Sequence, residues 1–281
     1  MRTYLECIPC FFKQALEAAR ICSSDPAEHK KILDEVAGLI GGISLGSSPP
    51  EMGRTIHSII KERMRVPDPY REIKEKSNRM ALRIYPGLKE KVAGSRDPLL
   101  TAVELAVAGN IIDYGVKNTL NVEEEIEKIL KREIDTIKKE DSRFFNYGLF
   151  REKMEGSKDI LYLADNAGEA VFDRVLIEEI VSMKGKKITY AVKERPIIND
   201  ATEKDALDCG IDRIARVVSS GSDAPGTVLP LCSKDFLERF ESADMIISKG
   251  QGNFEALSGE KRPVFYLFMA KCAVVVKDVG C

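Results

Sequence analysis

The stretch Ile160–Glu169, reading I-L-Y-L-A-D-N-A-G-E, constrains the fold of this chain more than any other. An apolar run from Ile160 to Ala164 stops at two oxygen-bearing side chains, Asp165 and Asn166. A glycine then leads into a helical pattern carried by Ala170, Val171, Val175, Leu176 and Ile180. So short and continuous an apolar run, bounded by turn residues, reads as a buried strand of a parallel sheet. Asp165 and Asn166 then stand at its carboxyl end. Open α/β sheets bind ligands in the crevice outside those ends, so chemistry is expected there first.

Similar β-rich runs recur at 188–192, 214–218, 245–248, 264–267 and 273–276, with helical stretches such as 169–182 and 233–241 between them. Strands alternating with helices give a doubly wound, mainly parallel, Rossmann-like α/β sheet with right-handed crossovers. Before residue 155 no such run occurs. Asp25-Pro26, Asp68-Pro69 and Asp97-Pro98 each place an N-cap residue before a proline at the first helical position. Asn121 with Glu124 three residues on, a signature of the capping-box kind, opens a charged helix over 122–139. The expected organisation is therefore an all-helical region or cap, 1–155, followed by an α/β domain, 156–281, that binds metal and phosphate.

Net charge is −2 over 281 residues, which leaves no basic field for nucleic acid or an anionic membrane. No apolar stretch approaches the length of a membrane span, and the opening residues lack the apolar core of a signal peptide. Seven cysteines, an odd number scattered along the chain, do not form a disulfide framework. These features predict a cytoplasmic protein with no nucleic-acid or membrane partner.

Two further strand ends supply partners for Asp165 and Asn166. The second strand runs into K-E-R-P-I-I-N-D-A-T, which places Asn199 and Asp200 in a loop opening the next helix. The fourth runs into S-K-G-Q-G-N-F-E, which brings Lys249, Gly250, Gly252 and Asn253 to a turn. Each element has a plain reading: a turn former or N-cap at Asp165, an ordinary turn at Gly250-x-Gly252, a solvated lysine at 249. Their convergence at three ends favours a phosphate ester held by a hard divalent cation. Carboxylate and amide oxygens suit magnesium or manganese, glycines admit backbone close to phosphate, and a lysine supplies compact positive charge.

A-D-N-A-G-E (164–169), R-P-I-I-N-D-A-T (195–202) and S-K-G-Q-G-N-F-E (248–255), with A-G-N-I-I-D (108–113) and C-I-P-C (7–10), resemble the metal-dependent damage-control phosphatase family, and its stand-alone prokaryotic branch in particular. The resemblance implies a phosphatase that uses manganese, nickel, cobalt or magnesium on small phosphorylated metabolites in a house-cleaning role. It places metal ligands at Asp165, Asn166 and Asp200, and a phosphate-contacting lysine at Lys249 beside Gly250 and Asn253. It also turns Asn110 and Asp113, three apart on one helix face, into the site. In the expected hydrolysis Asp165 or Asp200 positions or deprotonates water, while Lys249 and the 250–253 backbone stabilise charge on the phosphoryl group. An aspartyl-phosphate on Asp165 is the competing route.

Two other classes are weighed against this. One is an S-adenosylmethionine-dependent methyltransferase, suggested by the family's eukaryotic members; the other is a non-catalytic nucleotide- or metal-binding regulator. Cys7 and Cys10 read either as two buried helical cysteines, as a redox pair, or as half of a second metal site completed by Cys22 or Cys272.

Overall fold

A computed structural model describes residues 1–109 and 144–280. Helices α1 (Cys7–Cys22), α2 (Pro26–Ile40), α3 (Pro49–Met64), α4 (Arg71–Ala93), α5 (Pro98–Ala108) and α6 (Tyr147–Gly156) precede the first strand. Among the described residues of 1–155 every regular element is a helix, as expected. The 122–139 helix, and Asn110 and Asp113, lie outside the described residues.

The helix starts follow their local chemistry. Asp25 and Asp97 accept from the backbone N–H of Ala27 and Leu100, each with proline at the first helical position. At Asp68-Pro69 the helix begins later, at Arg71. Asp68 accepts there from the Tyr70 N–H at 3.1 Å and pairs with Lys74 at the same distance. Ser48-Pro49 starts α3 through a capping box with Glu51, a signal that the N-cap–proline reading passed over.

The second half alternates as expected: β1 (Asp159–Leu163), α7 (Glu169–Ser182), β2 (Lys187–Val192), α8 (Glu203–Asp208), β3 (Arg216–Ser219), α9 (Lys234–Ser242), β4 (Met245–Lys249), α10 (Gln251–Leu257), β5 (Phe265–Leu267) and α11 (Ala273–Val279). All five strands are parallel, in the order β3-β2-β1-β4-β5. The chain works outward from β1 to β3, then returns to the other side of β1. The order therefore reverses between β1 and β4, which is where such sheets open their crevice.

One expectation is corrected. Ala273–Val276 is the start of helix α11, not a sixth strand. Four apolar residues carry no period that separates strand from helix. The Cys272 thiol accepts from the Val275 N–H, and Gly280 ends the turn at φ 83°, so the two ends select the helix.

Successive β1 residues point to opposite faces. Ile160, Tyr162 and Ala164 join the main core with Tyr190, Ile247 and residues of α4 to α7, whereas Leu161 and Leu163 meet Phe236 and Phe240 of α9 on the other face. Helices thus cover both faces, which is why β1 and β4 are apolar on both. The described residues of 1–155 divide between two cores, because α1, α2 and α3 enclose a separate one around Phe11, Ala15, Ile32, Val36 and Ile56. Helix α3 fastens that bundle to the strand ends: Gly53 packs on Pro225, Arg54 pairs with Asp223, and Lys61 donates to the Pro196 carbonyl.

Candidate active site

The residues after β1 and after β2 are tied together by backbone. Ala201 N–H donates to Asp165 O at 2.8 Å and Ala167 N–H to Asn199 O at 2.9 Å, an antiparallel bridge that sets Asn166 opposite Asp200. Asp165, Asn166 and Asp200 are 9%, 6% and 4% exposed. The loop carrying Asp200 holds Ile198 at φ 44°, a strained conformation for a β-branched residue.

Gly250, immediately after β4, closes the other side. Its φ is 78°, and a Cβ placed there would overlap the Asp165 carboxylate. Only glycine fits, which is a sharper requirement than an ordinary turn makes. Its own N–H is bonded to Leu267 O at 3.3 Å. Asn253 is fully enclosed: its amide donates to Ala164 O at 3.0 Å and Lys249 O at 2.7 Å and accepts from Thr227 Oγ1 at 2.8 Å. It clips the exits of β1 and β4 together.

Lys249 is 0% exposed. Its ammonium donates to Glu169 Oε2 at 3.1 Å and Asp173 Oδ1 at 2.7 Å, both on α7. Against burial, which disfavours the charge, Asp173 and Glu169 hold this lysine above its ordinary range. Burial likewise raises the Glu169 carboxyl, with the Lys249 charge opposing. Tyr162 and Tyr190, stacked at 5.4 Å, each donate a hydroxyl to Asp173, at 2.7 and 2.8 Å. Lys249, expected at the phosphate, is thus surrounded by protein groups directly behind the site.

Glu169 connects this buried pair to the site. Asn166 Nδ2 donates to Glu169 Oε1 and to Asp165 Oδ2, both at 2.9 Å. With both amide hydrogens directed there, the Asn166 carbonyl oxygen accepts no hydrogen bond among the described residues. Neither Glu169 nor Asp173 stood out in the sequence, although their i, i+4 spacing just past D-N-A-G puts both on one face of α7.

The turn into α7 is also fixed from the helical side. Gly168 N–H donates to Asn78 Oδ1 at 2.7 Å, Asn78 donates to Asp205 at 3.0 Å, and Lys74 pairs with Asp205 at 3.2 Å. Asp205 in turn caps α8 through Thr202.

The oxygen donors at Asp165, Asn166 and Asp200 are of the type that a hard divalent cation takes. Among the described residues no three His, Cys, Asp or Glu side chains converge as a metal-holding group. The donor set is two carboxylates and one amide carbonyl, and that carbonyl accepts no hydrogen bond among the described residues. Few protein oxygens suit an ion that keeps several waters, such as magnesium or manganese, rather than zinc. Cys7 and Cys10 open α1 as free thiols, one half-buried and one exposed, both raised by burial, and they lie outside this cluster.

Comparison with known proteins shows which family the chain resembles over its length. Residues 3–281 match the family model described as the damage-control phosphatase ARMT1-like domain. An uncharacterised Methanocaldococcus jannaschii protein is 38% identical over 98% of this chain and 91% of its own. A protein of Archaeoglobus fulgidus named damage-control phosphatase is 35% identical over 98% of this chain and 94% of its own. The crystal structure of a DUF89 family protein from Pyrococcus horikoshii superposes with a TM-score of 0.88 at 32% identity, covering 100% of this chain and 95% of that one.

Proposed function

This chain belongs to the damage-control phosphatase ARMT1-like domain family, and on that premise we propose that it is a divalent-metal-dependent phosphomonoester hydrolase that clears small phosphorylated metabolites. The relatives' name supports a phosphatase. The observation that carries the metal-dependent reading is the set of three oxygen donors, Asp165, Asn166 and Asp200, fixed by the backbone bridge at the switch point and closed by Gly250.

In this reading Asp165, Asn166 and Asp200 would hold the cation. A bound divalent cation supplies Lewis-acid polarisation of the phosphoryl oxygen and lowers the pKa of a coordinated water. The chain's own groups do the rest. The bridge between the two loops keeps both carboxylates in register, and one of them orients the attacking water and takes its proton at a carboxylate oxygen. The amino terminus of α7 opens directly after Asp165-Asn166, so its dipole favours the phosphate dianion. Lys249 acts as a positioning residue, fixing Glu169, which fixes the Asn166 amide. Water rather than Asp165 is the nucleophile in this reading, because the same carboxylate would have to serve as both metal ligand and attacking group.

Phosphate release from para-nitrophenyl phosphate, sugar phosphates and nucleotides tests the proposal. Chelator-stripped protein is refilled with magnesium, manganese, cobalt or nickel beside Asp165→Asn and Asp200→Asn. Turnover that returns with metal and is lost in both variants is expected. Absence of turnover with every metal contradicts the proposal. Binding of S-adenosylmethionine by the same protein would then turn the assignment toward methyl transfer.

A further inference from the structure

Two buried lysines reach the carboxyl ends of the strands, and they are not equivalent. Lys249 is enclosed by two carboxylates. Lys193 follows β2, its side chain 3% exposed and its backbone N–H bonded to Ala201 O at 3.0 Å. The carboxylate facing its ammonium is Asp200 Oδ2, 3.6 Å away, beyond hydrogen-bond reach. Among the described residues the Lys193 ammonium donates no hydrogen bond. Asp200 therefore compensates the charge but none of the three donors.

An ammonium whose donors no described protein group takes, on a side chain 3% exposed, is open to a ligand that completes it. What completes it must present several anionic oxygens beside Asp200, and a phosphate group does so. The rim carries both signs: burial lowers the Lys61 ammonium of α3 most, Asp223 and Asp68 raise it, and Lys74 and Arg195 lower it further.

We infer that Lys193 is the lysine that grips the phosphoryl group, donating to a non-bridging oxygen of the substrate and of the inorganic phosphate product, while Lys249 stays behind the site. The inference rests on the phosphatase reading of the site. Its first test is made without metal or turnover. Inorganic phosphate is titrated calorimetrically into the chelator-treated wild type, Lys193→Met and Lys193→Arg, with urea unfolding as the check on folding. Lys193→Met keeps the volume and removes the charge, and Lys193→Gln replaces it if Met unfolds the protein.

Phosphate affinity is expected to fall about 10- to 100-fold in Lys193→Met, the usual effect of losing a charge-assisted hydrogen bond, and to recover partly in Lys193→Arg. In metal-refilled enzyme kcat/KM for para-nitrophenyl phosphate should fall by at least as much. Wild-type phosphate affinity in folded Lys193→Met would overturn the inference, because a lysine that merely steadied Asp200 would leave metal-free phosphate binding unchanged. Absence of phosphate binding by the wild type would overturn it too. Phosphate binding that depends on Lys193, without turnover of any ester by the wild type, would uphold the grip and refute the phosphatase reading.

Discussion

Gly250 is the residue on which the geometry of the site turns most sharply. A methyl group there meets the Asp165 carboxylate, and the backbone at φ 78° resists any L side chain. Gly250→Ala is expected to lower kcat/KM by about 100-fold or more through displacement of a positioned group. It should also cost about 1 kcal/mol or more in unfolding free energy from the φ requirement alone. Wild-type kinetics in this variant would show that Asp165 need not occupy its observed position. Lys249 poses a different question. Lys249→Met leaves Glu169 and Asp173 buried without their cation, which should destabilise the fold by roughly 3–5 kcal/mol, read from urea midpoints. Adding Glu169→Gln should return part of that loss. A double variant no more stable than the single would mean that the two charges are not coupled. At this scale the sequence revealed the donors but not their partners. Asp165, Asn166, Asp200 and Gly250 stand at strand ends and can be found by topology. That Lys249 faces inward, and that the Lys193 ammonium donates no hydrogen bond among the described residues, depends on how α7 and the 195–200 loop pack, which no local pattern encodes.

Among the elements, α4 and α3 brace the strand ends from the helical side. Asn78 on α4 satisfies both the Gly168 N–H and an Asp205 oxygen. Asn78→Ala strands two buried groups and is expected to cost about 1–3 kcal/mol, with lower activity because the 165–168 turn loses its anchor. Unchanged stability would remove α4 from the support of the site. On α3, burial, with the Lys61 charge adding to it, lowers His57 from its ordinary 6.5 to about 4. The folded value lies below the unfolded one, so this stabilisation is complete above pH ~6.5 and is lost as pH falls toward ~4. Between pH ~7 and ~5 the group should contribute a loss of about 2 kcal/mol. That loss should be absent from His57→Leu in urea titrations, and parallel pH dependences of the two proteins would contradict it. Element type was legible wherever both ends carried a signal, as at Asp25-Pro26 or between Ile160 and Asp165. It failed at Ala273–Val276, where a Cys272 cap and a left-handed Gly280 decide the structure of an ambiguous apolar run.

For the whole molecule, the strand order explains why distant motifs act together. β1 and β4 are neighbours at the reversal of the sheet, so residues near 165 and near 250 meet although about two-thirds of the α/β region separates them. The alternation of strands and helices made that sheet legible. Its order was not, since pairing is settled by packing across the sheet rather than by any one segment. Among the described residues no helix is long and apolar enough to cross a membrane. The central claim is that the switch point holds a catalytic divalent cation, and anomalous diffraction from crystals of manganese-refilled protein tests it most directly. The account predicts one strong anomalous peak bonded by Asp165, Asn166 and Asp200, absent from Asp200→Asn. A crevice without a peak in fully active crystals, or a peak held only by other residues, would contradict it.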